Sequence, residues 1–378
     1  MTVRRLLGLT ILFCLGAAAQ ERPSIPDAEV LRIHRSLLLI DTHNDRPYEM
    51  SLVQDGKPEE AHQSDPGMLR QGGVGAVFFA AYVPAEFAAH RGSSAQVALR
   101  LIGLIKNDIV AANPDTFVFA TTADEIERIH RSGKIAALIG IEGGHAIEND
   151  PGLIGKFAAA GVRYMTLTHT NTNDWADSSG DADKPAVPRH DGLTPLGLQV
   201  IEAMNRAGMI VDISHVSDRT FWDALKASKA PVFASHSSCR ALANHARNMT
   251  DEMIRGLAKQ GGVIQINFNC DFVSQPYLDA RHAQVKDPPP ATLAEVVAQI
   301  DHAVQVGGID AVGIGSDFDG IQCAPAGLEN VTRFPNLTRA LLERGYTEAQ
   351  LRKIYGGNTL RLMRQVEKTA SSMSAGVR

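Results

Sequence analysis

Seven side chains that can bind metals or transfer protons stand at the ends of short apolar runs, or about one residue beyond them. They are His43, Asp45, Glu142, His169, His215, His236 and Asp317. Burying an imidazole or a carboxylate without a partner is costly, so this repeated placement requires a reason. Imidazole nitrogen and carboxylate oxygen are ligands that Zn²⁺ and related divalent metals accept. The pattern therefore predicts metal chemistry where a set of strands ends.

The number of these groups favours two metal ions over one. Even three of the imidazoles and two of the carboxylates exceed what one catalytic ion needs. Two ions that share a bridging carboxylate fit better, since such pairs lie ~3.5–4 Å apart and activate a shared hydroxide. We therefore predict metal-assisted hydrolysis. Nucleophilic catalysis by Ser or Cys is less favoured, because the chain has no G-x-S-x-G motif and no thiol with an obvious His partner.

Beyond residue 30, eight short apolar runs alternate with amphipathic stretches and are the predicted strands. They read LLLIDTHND, VGAVFFAAYV, AALIGIEGG, YMTLTHTN, IVDISHVS, PVFASHSS, VIQINFN and AVGIGSDFDG. Apolar strands separated by helices, several of which end at Gly, indicate a parallel sheet covered by helices. Eight such units predict an α/β fold, a (β/α)8 TIM-type barrel like that of metal-dependent hydrolases, with residues 20–378 as one catalytic domain. An open doubly wound sheet is the alternative, but no glycine-rich nucleotide motif follows the first strand.

The carboxyl ends of barrel strands meet at one face, where active sites are built. His43 and Asp45 are two residues apart, so both are expected to point the same way from the first strand. Two long connections rich in Asp, Pro and Gly, residues 171–195 and 271–291, are expected to form long active-site loops on this face. Residues 370–378 are expected to form a disordered tail.

A set of motifs gives the chain a resemblance to a known family. In order, they read DTHNDRP, GIEGGH, LTHTNTNDWADS, DISHVS, SHSSCRAL…HARN, INFN, GSDFDG and YGGNTLRLM. Over nearly its whole length after the N-terminal segment, the chain resembles the membrane dipeptidase (renal dipeptidase) family of zinc peptidases. The resemblance implies a homodimeric α/β barrel that hydrolyses dipeptides with a metal-bridged hydroxide and accepts a D-residue on the C-terminal side.

The resemblance also implies a role for each metal-binding residue. By it, His43 and Asp45 bind one zinc ion, His215 and His236 bind the second, and Glu142 bridges the two.

Three further residues are implied to act on the dipeptide substrate. His169 resembles the residue that contacts the scissile carbonyl oxygen, Arg247 the residue that binds the C-terminal carboxylate, and Asp317 the acid/base partner of the bridging water. Arg46 departs from the family pattern, in which Leu is common at this position. The NFNCDF segment also lacks an aromatic hydroxyl that several relatives carry. These departures concern the pocket wall and hence the preferred substrate side chains.

Two other functions remain open from the residues alone. Other metal-dependent barrel hydrolases, including phosphotriesterase-like and deaminase-like enzymes, often place a His-x-His pair at the first strand, whereas this chain has His-x-Asp. An exported binding protein that uses metal only to hold a ligand is the second alternative. Asp317 argues against it, because binding alone needs no proton transfer.

The N-terminus has the pattern of an export signal. Arg4 and Arg5 precede the apolar stretch LLGLTILFCLG, and AAAQ offers a cleavage site after Ala19. The apolar stretch is well short of the ~20 residues that a membrane-spanning helix needs. We therefore predict that residues 1–19 are a signal peptide. The enzyme is then exported, periplasmic or secreted, and has no membrane anchor after cleavage.

Charge and cysteine content limit the partners further. A formal net charge of −5 and a pI near 6.2 argue against nucleic acid as a partner. Without the predicted signal, Cys239, Cys270 and Cys323 remain, and an odd number argues against a disulfide framework. Pairing of Cys270 with Cys323 stays open, but buried free thiols are the favoured expectation.

Overall fold

A closed barrel of eight parallel strands lies at the centre of the computed structural model, which describes residues 25–90 and 92–375. The strands in these ranges are β1 Leu39–Asn44, β2 Val74–Tyr82, β3 Phe117–Phe119, β4 Ile135–Glu142, β5 Val162–Thr166, β6 Ile210–Asp212, β7 Phe233–Ser237, β8 Val263–Ile266 and β9 Val312–Ile314. The order around the ring is β2-β1-β9-β8-β7-β6-β5-β4, and β4 pairs with β2 to close it. The predicted (β/α)8 barrel is confirmed.

The short strand β3 was not predicted and lies outside the ring. It pairs with residues 135–137 of β4, whereas β5 pairs with residues 139–142 of the same strand. β2 pairs with β4 from Ala136 to Glu142 and therefore occupies the opposite edge. β3 and β5 therefore pair with the same edge of β4, β3 at its amino end and β5 at its carboxyl end.

Helices connect the strands and surround the barrel. They are α1 Asp27–Ser36, α2 Arg46–Gln54, α3 Pro66–Gln71, α4 Ser93–Leu104, α5 Ala123–Arg131, α6 Gly152–Ala160, α7 Pro195–Ala207, α8 Asp218–Ala227, α9 Asp251–Lys259, α10 Cys270–Val273, α11 Gln275–His282, α12 Leu293–Gly307, α13 Phe334–Arg344, α14 Glu348–Arg352 and α15 Asn358–Ala375. Two π-helical segments, Ile105–Ala111 and Lys353–Gly357, follow α4 and α14. Short 3₁₀ segments cover Ala85–Ala89, Gly144–Ile147, Ser179–Asp181, Ile309–Ala311 and Val331–Arg333. Among the described residues, no helix has the length and apolar character that crossing a membrane requires.

Local sequence explains where several helices begin. Thr122 and Glu125 form a reciprocal capping box at the start of α5, and Ser217 caps α8 by accepting from the backbone N–H of Thr220. Such caps satisfy backbone N–H groups that have no partner within the helix. They fix the first turn of each helix directly after a strand or its loop.

Side chains along β4 alternate between two apolar clusters. Leu138 packs inside the barrel with Tyr164 of β5, whereas Ile141 packs in the layer between the sheet and the helices. Successive side chains of a strand point to opposite faces, so Glu142 shares the inward face of Leu138. The strand therefore places a carboxylate at the carboxyl end of the barrel interior.

The structure corrects two expectations about irregular segments. Residues 171–194 are mostly irregular, as expected of a long loop, but residues 271–291 contain most of α10 and all of α11. The expected disorder of the tail is wrong for residues 370–375, because α15 continues to Ala375 and packs against α7. Residues 376–378 and the predicted signal peptide, residues 1–19, lie outside the described residues.

The expectation of free thiols is wrong for two of the three cysteines. Cys270 and Cys323 form a disulfide, and their Cα atoms are 5.5 Å apart. The pairing arises because β8 and β9 are neighbours in the sheet, so the segments that follow them run side by side. Cys239 is a buried free thiol.

Candidate metal centre

The seven predicted side chains converge at the carboxyl end of the barrel. Three lie within strands: His43 in β1, Glu142 at the end of β4 and His236 in β7. Four follow strands: Asp45 after β1, His169 after β5, His215 after β6 and Asp317 after β9. All are buried except His169, which is partly exposed. The prediction that these residues meet at one face is therefore confirmed.

Two of these residues have an uncommon backbone conformation. His215 and Asp317 each have a φ of 66°, in the left-handed region that residues other than glycine rarely adopt. Such conformations cost free energy and occur most often at functional sites. At each of these two residues the backbone turns sharply after the strand, and the side chain lies in the cluster at the carboxyl end of the barrel.

One carboxylate oxygen, Oε1 of Glu142, faces four imidazoles. It lies 3.0 Å from Nε2 of His215, 3.2 Å from Nε2 of His236 and 3.6 Å from Nε2 of His43. Nε2 of His169 is 3.9 Å away. Glu142 therefore has the central position that a bridging ligand requires.

The other ligand atoms lie around this centre. Nε2 of His43 is 3.2 Å from Oδ2 of Asp45 and 3.9 Å from Oδ1 of Asp317. Nε2 of His215 and Nε2 of His236 are only 2.9 Å apart. Two neutral imidazole nitrogens at this distance repel each other through their lone pairs, unless a proton or a cation lies between them or beside them. A bound cation would relieve this repulsion, and so would a proton on Nε2 of His215.

A hydrogen-bonded chain fixes the tautomer of His236. The hydroxyl of Ser235 donates its proton to Oδ2 of the buried Asp212 at 2.6 Å, so its oxygen accepts from Nδ1 of His236 at 2.7 Å. With the proton on Nδ1, Nε2 of His236 presents its lone pair to Glu142 and His215. Supporting contacts of this kind orient metal-binding histidines and raise their basicity.

His43 is held in the same way from the barrel interior. Its Nδ1 lies 2.7 Å from the hydroxyl of Tyr164, a buried residue in the middle of β5. When Nδ1 carries the proton and donates to that hydroxyl, Nε2 is free as a ligand. Tyr164 thus supports His43 from below, on the side away from the cleft.

Buried polar atoms at the site lack the hydrogen bonds that burial normally requires. Nε2 of His43 and Oδ1 of Asp45 have no hydrogen-bond partner among the described residues. Leaving such atoms unsatisfied costs about 1–3 kcal/mol each. The donor atoms of His43, Asp45 and Glu142 lie within 4.8 Å of one another, as do those of Glu142, His169 and His215. A third such group joins His43, His236 and Asp317. The residues present therefore fit a divalent metal, and Glu142 belongs to two of the three groups.

Burial and neighbouring charges set the protonation states. Burial lowers the pKa of His215 and of His236 well below the usual value, so both imidazoles are neutral and able to bind a metal. Burial opposes ionisation of Glu142, but the facing His43 and His169 lower its pKa well below the usual value. Burial raises the pKa of Asp317 to about 8, and the nearby carboxylates add to this effect.

A cleft of about 780 Å³ opens above the cluster, and Arg247 lines one side of it. The Arg247 side chain is buried, with Nη2 donating to the carbonyl oxygen of His236 at 3.0 Å and Nη1 to Oγ of Ser237 at 3.3 Å. Its Nε has no hydrogen-bond partner among the described residues, and its guanidinium lies 5.3 Å from the ring centre of Phe272. Arg247 is therefore held in place beside the cleft, and its guanidinium still has an N–H group that can donate a hydrogen bond.

Four supporting residues were not predicted from the sequence: Asp212, Ser235 and Asn267 beside the cluster, and Tyr164 beneath it. Asn267 donates from Nδ2 to Oδ2 of Asp317 at 2.8 Å. For three of them the sequence did carry a signal, because each is polar within an otherwise apolar strand segment. Tyr164 carried none, since an aromatic residue in a strand is typical of the core.

The fold and the cluster together define a class of protein: a (β/α)8 barrel with a metal-dependent hydrolase site at its carboxyl end. The model of the membrane dipeptidase family (Peptidase family M19) matches residues 27–376. The chain therefore belongs to the membrane dipeptidase family, and it is a hydrolase that acts on peptide bonds. It is 36% identical over 365 residues to the dipeptidase verJ of Clonostachys rogersoniana, and the alignment covers 92% of this chain and 88% of that protein.

Solved structures agree with this assignment. The probable dipeptidase PvdM from Pseudomonas aeruginosa has a TM-score of 0.80 and 26% identity, covering 91% of this chain and 99% of that one. A metallopeptidase from Rhodobacter sphaeroides, bound to a phosphinate mimic of the dipeptide L-Ala-D-Ala, has a TM-score of 0.76 and 26% identity. The match covers 87% of this chain and 99% of the Rhodobacter sphaeroides chain. This chain is thus similar to dipeptidases along nearly its whole length.

Proposed function

We propose that the protein is a zinc-dependent dipeptidase with a two-ion centre. The proposed ligands are His43 and Asp45 for one ion and His215 and His236 for the other, with Glu142 bridging. The observation that carries this proposal is the position of Glu142, whose Oε1 lies 3.0, 3.2 and 3.6 Å from Nε2 of His215, His236 and His43. Bound zinc would supply an activated water and polarise the scissile carbonyl.

Asp317 is the residue best placed to move the proton during hydrolysis. Its Oδ1 faces His43, and its Oδ2 is held by the amide of Asn267. A carboxylate here can take the proton from the attacking water and return it to the amine that leaves.

His169 and Arg247 position the dipeptide in this proposal. The partly exposed His169 stands beside the metal ligands and can donate a hydrogen bond to the scissile carbonyl oxygen. Arg247 presents a guanidinium that can pair with a free carboxylate through two parallel hydrogen bonds. This ion pair forms only when the second residue of the substrate carries a free C-terminal carboxylate. Arg247 therefore selects dipeptides over longer or amidated peptides.

Three finer features belong to the same proposal. We propose that a D-residue is accepted at the C-terminal side, which the ligand of the similar Rhodobacter sphaeroides enzyme supports. We also propose export to the periplasm or the exterior, on the basis of the N-terminal sequence pattern. A homodimer is proposed from the family resemblance.

Metal depletion followed by reconstitution tests the proposed function. Protein stripped by a chelator should not hydrolyse L-Ala-L-Ala or L-Ala-D-Ala, and addition of Zn²⁺ should restore both activities. The C-terminal amide of Ala-Ala and the tripeptide Ala-Ala-Ala should be poor substrates of the same preparation. Full activity in protein without a transition metal, or equal use of the amide, would overturn the proposal.

A further inference from the structure

The Cys270–Cys323 disulfide joins two segments that form one wall of the cleft. Cys270 begins α10, a few residues after β8, and Cys323 lies in the irregular segment after β9. The residues beside the two cysteines that line the cleft are Asn269, Phe272, Ile321 and Gln322. The bond therefore lies directly behind cleft-lining residues of both segments.

The segment around α10 contacts both groups that are proposed to act on the substrate. At its start, Asn267 donates to Oδ2 of Asp317. At its other end, the ring of Phe272 faces the guanidinium of Arg247, a cation–π contact. Asn267 follows β8 directly, and its backbone N–H donates to the carbonyl oxygen of Ser237 in β7, whereas Phe272 belongs to α10 itself. A shift of α10 would therefore change the surroundings of Arg247 and leave Asn267 beside Asp317.

The segment that carries Cys323 has little structure of its own. Residues 320–325 form neither helix nor strand. The backbone N–H of Cys270 donates to the carbonyl oxygen of Cys323 at 3.1 Å, and the next backbone bond to a distant part of the chain joins Ala326 to Ala291. The disulfide is the covalent link between this segment and α10.

The cysteines do not belong to the metal cluster. Among the described residues, the groups with metal-binding spacing contain only histidines and carboxylates. Breaking the disulfide should therefore leave the metal ligands in place and act on substrate binding instead.

We propose that the Cys270–Cys323 disulfide is a positioning element of the active site. It holds the wall formed by residues 269–272 and 321–322, and with it Phe272 beside Arg247, in the arrangement that binds the substrate. Substrate affinity then depends on the oxidation state of this cysteine pair. The proposal rests on the proposed dipeptidase activity.

The test compares the metal-loaded wild type with the double variant Cys270→Ser/Cys323→Ser. For L-Ala-L-Ala we expect KM to rise about tenfold while kcat stays within about twofold, the pattern of lost binding that is equal in ground and transition states. Hydrogen exchange of backbone amides in residues 267–273 and 318–326 should become faster. Bound zinc, measured by elemental analysis, should not change.

A reductant provides a second arm that does not depend on how the variant folds. A phosphine reduces the disulfide to two thiols and is itself oxidised to the phosphine oxide, with the oxygen taken from water. Treated wild type should acquire the KM and the exchange rates of the variant. The double variant given the same reductant serves as the control for removal of zinc by the reagent and should not change further.

Each negative result has a distinct meaning. If the oxidised wild type hydrolyses no dipeptide, the proposed function fails, while hydrogen exchange still reports on the wall. Unchanged exchange after loss of the disulfide would overturn the positioning role. Faster exchange with an unchanged KM would overturn its effect on substrate binding, and loss of zinc from the double variant would also contradict the proposal.

Discussion

Gly140 leaves the space that the ring of Tyr164 fills. A Cβ atom on Gly140 would lie 1.9 Å from Cζ of Tyr164, much closer than any real contact. The two residues are paired neighbours on β4 and β5. The missing side chain allows the Tyr164 hydroxyl to reach Nδ1 of His43 at 2.7 Å, across the barrel interior. A glycine on one strand therefore supports a metal ligand on another.

The substitution Gly140→Ala should damage both stability and metal binding. Overpacking a core typically costs 1–3 kcal/mol, and here the ring of Tyr164 must move away from His43. Chemical denaturation would measure the loss of unfolding free energy, and competition with a zinc chelator would measure the affinity. Gly103→Ala on α4 is the matched control, because nothing lies within 4 Å of its added Cβ. Equal stability of the two variants would contradict this interpretation.

The Tyr164→Phe variant should bind zinc about 10–100-fold more weakly, the usual effect of removing a group that supports a metal ligand. The fold should persist, because the ring remains in place. Tyr355→Phe is the control: that hydroxyl is also buried and lies 2.7 Å from Oγ1 of Thr338, and neither residue belongs to the metal-binding groups. Calorimetric titration of the metal-free proteins with zinc would separate the two variants. Equal affinities would show that Tyr164 does not support the metal.

Glu142→Gln should lose at least one of the two proposed ions. The shape of the side chain is kept, but the charge shared by the facing imidazoles is lost. Elemental analysis of the purified variant should therefore give no more than about half of the expected zinc, if two ions share one bridge. Glu148→Gln should keep its metal, because Glu148 accepts from the backbone N–H groups of Gly92 and Ala95 instead. Full zinc content in Glu142→Gln would rule out the bridge.

Asp317→Asn should fold and retain zinc while kcat falls ~10²–10⁴-fold, the range that general acid–base catalysis contributes. Steady-state kinetics and zinc analysis of the same sample would test this. Asp319→Asn is the comparison, since Asp319 accepts from the backbone N–H of Gln63 and from Ser64 and therefore holds a loop. A variant of Asp317 that loses zinc would show a metal ligand instead of an acid/base.

Arg247→Ala should lower kcat/KM for dipeptides by an amount that corresponds to about 2–5 kcal/mol, the cost of breaking a buried charge pair. The loss should vanish for C-terminally amidated dipeptides, which lack the charge that Arg247 binds. Arg255→Ala on α9 is a control, because Arg255 is exposed and pairs with Asp251 of the same helix, outside the cluster. Unchanged kinetics of Arg247→Ala on free dipeptides would remove Arg247 from the proposed site.

Sequence patterns predicted the barrel and the convergence of the seven side chains, because apolar strands with polar ends have few other arrangements. They did not predict the support beneath the site. Tyr164 looks like an ordinary core residue, and only the contact across the barrel reveals its role. The pairing of Cys270 with Cys323 depends on which strands are neighbours, and spacing along the chain does not give that. The polar tail was expected to be disordered, yet it extends α15 along α7.

The ring order has a consequence for the sequence of events during synthesis. β1 carries His43 and leaves the ribosome early, but one of its two neighbours in the ring is β9, which is made last. Glu142 likewise precedes its partners His215 and His236 by many residues. A growing chain therefore cannot close the barrel around the cluster until β9 has emerged. We expect the proposed ions to bind stably only in a chain whose barrel has closed.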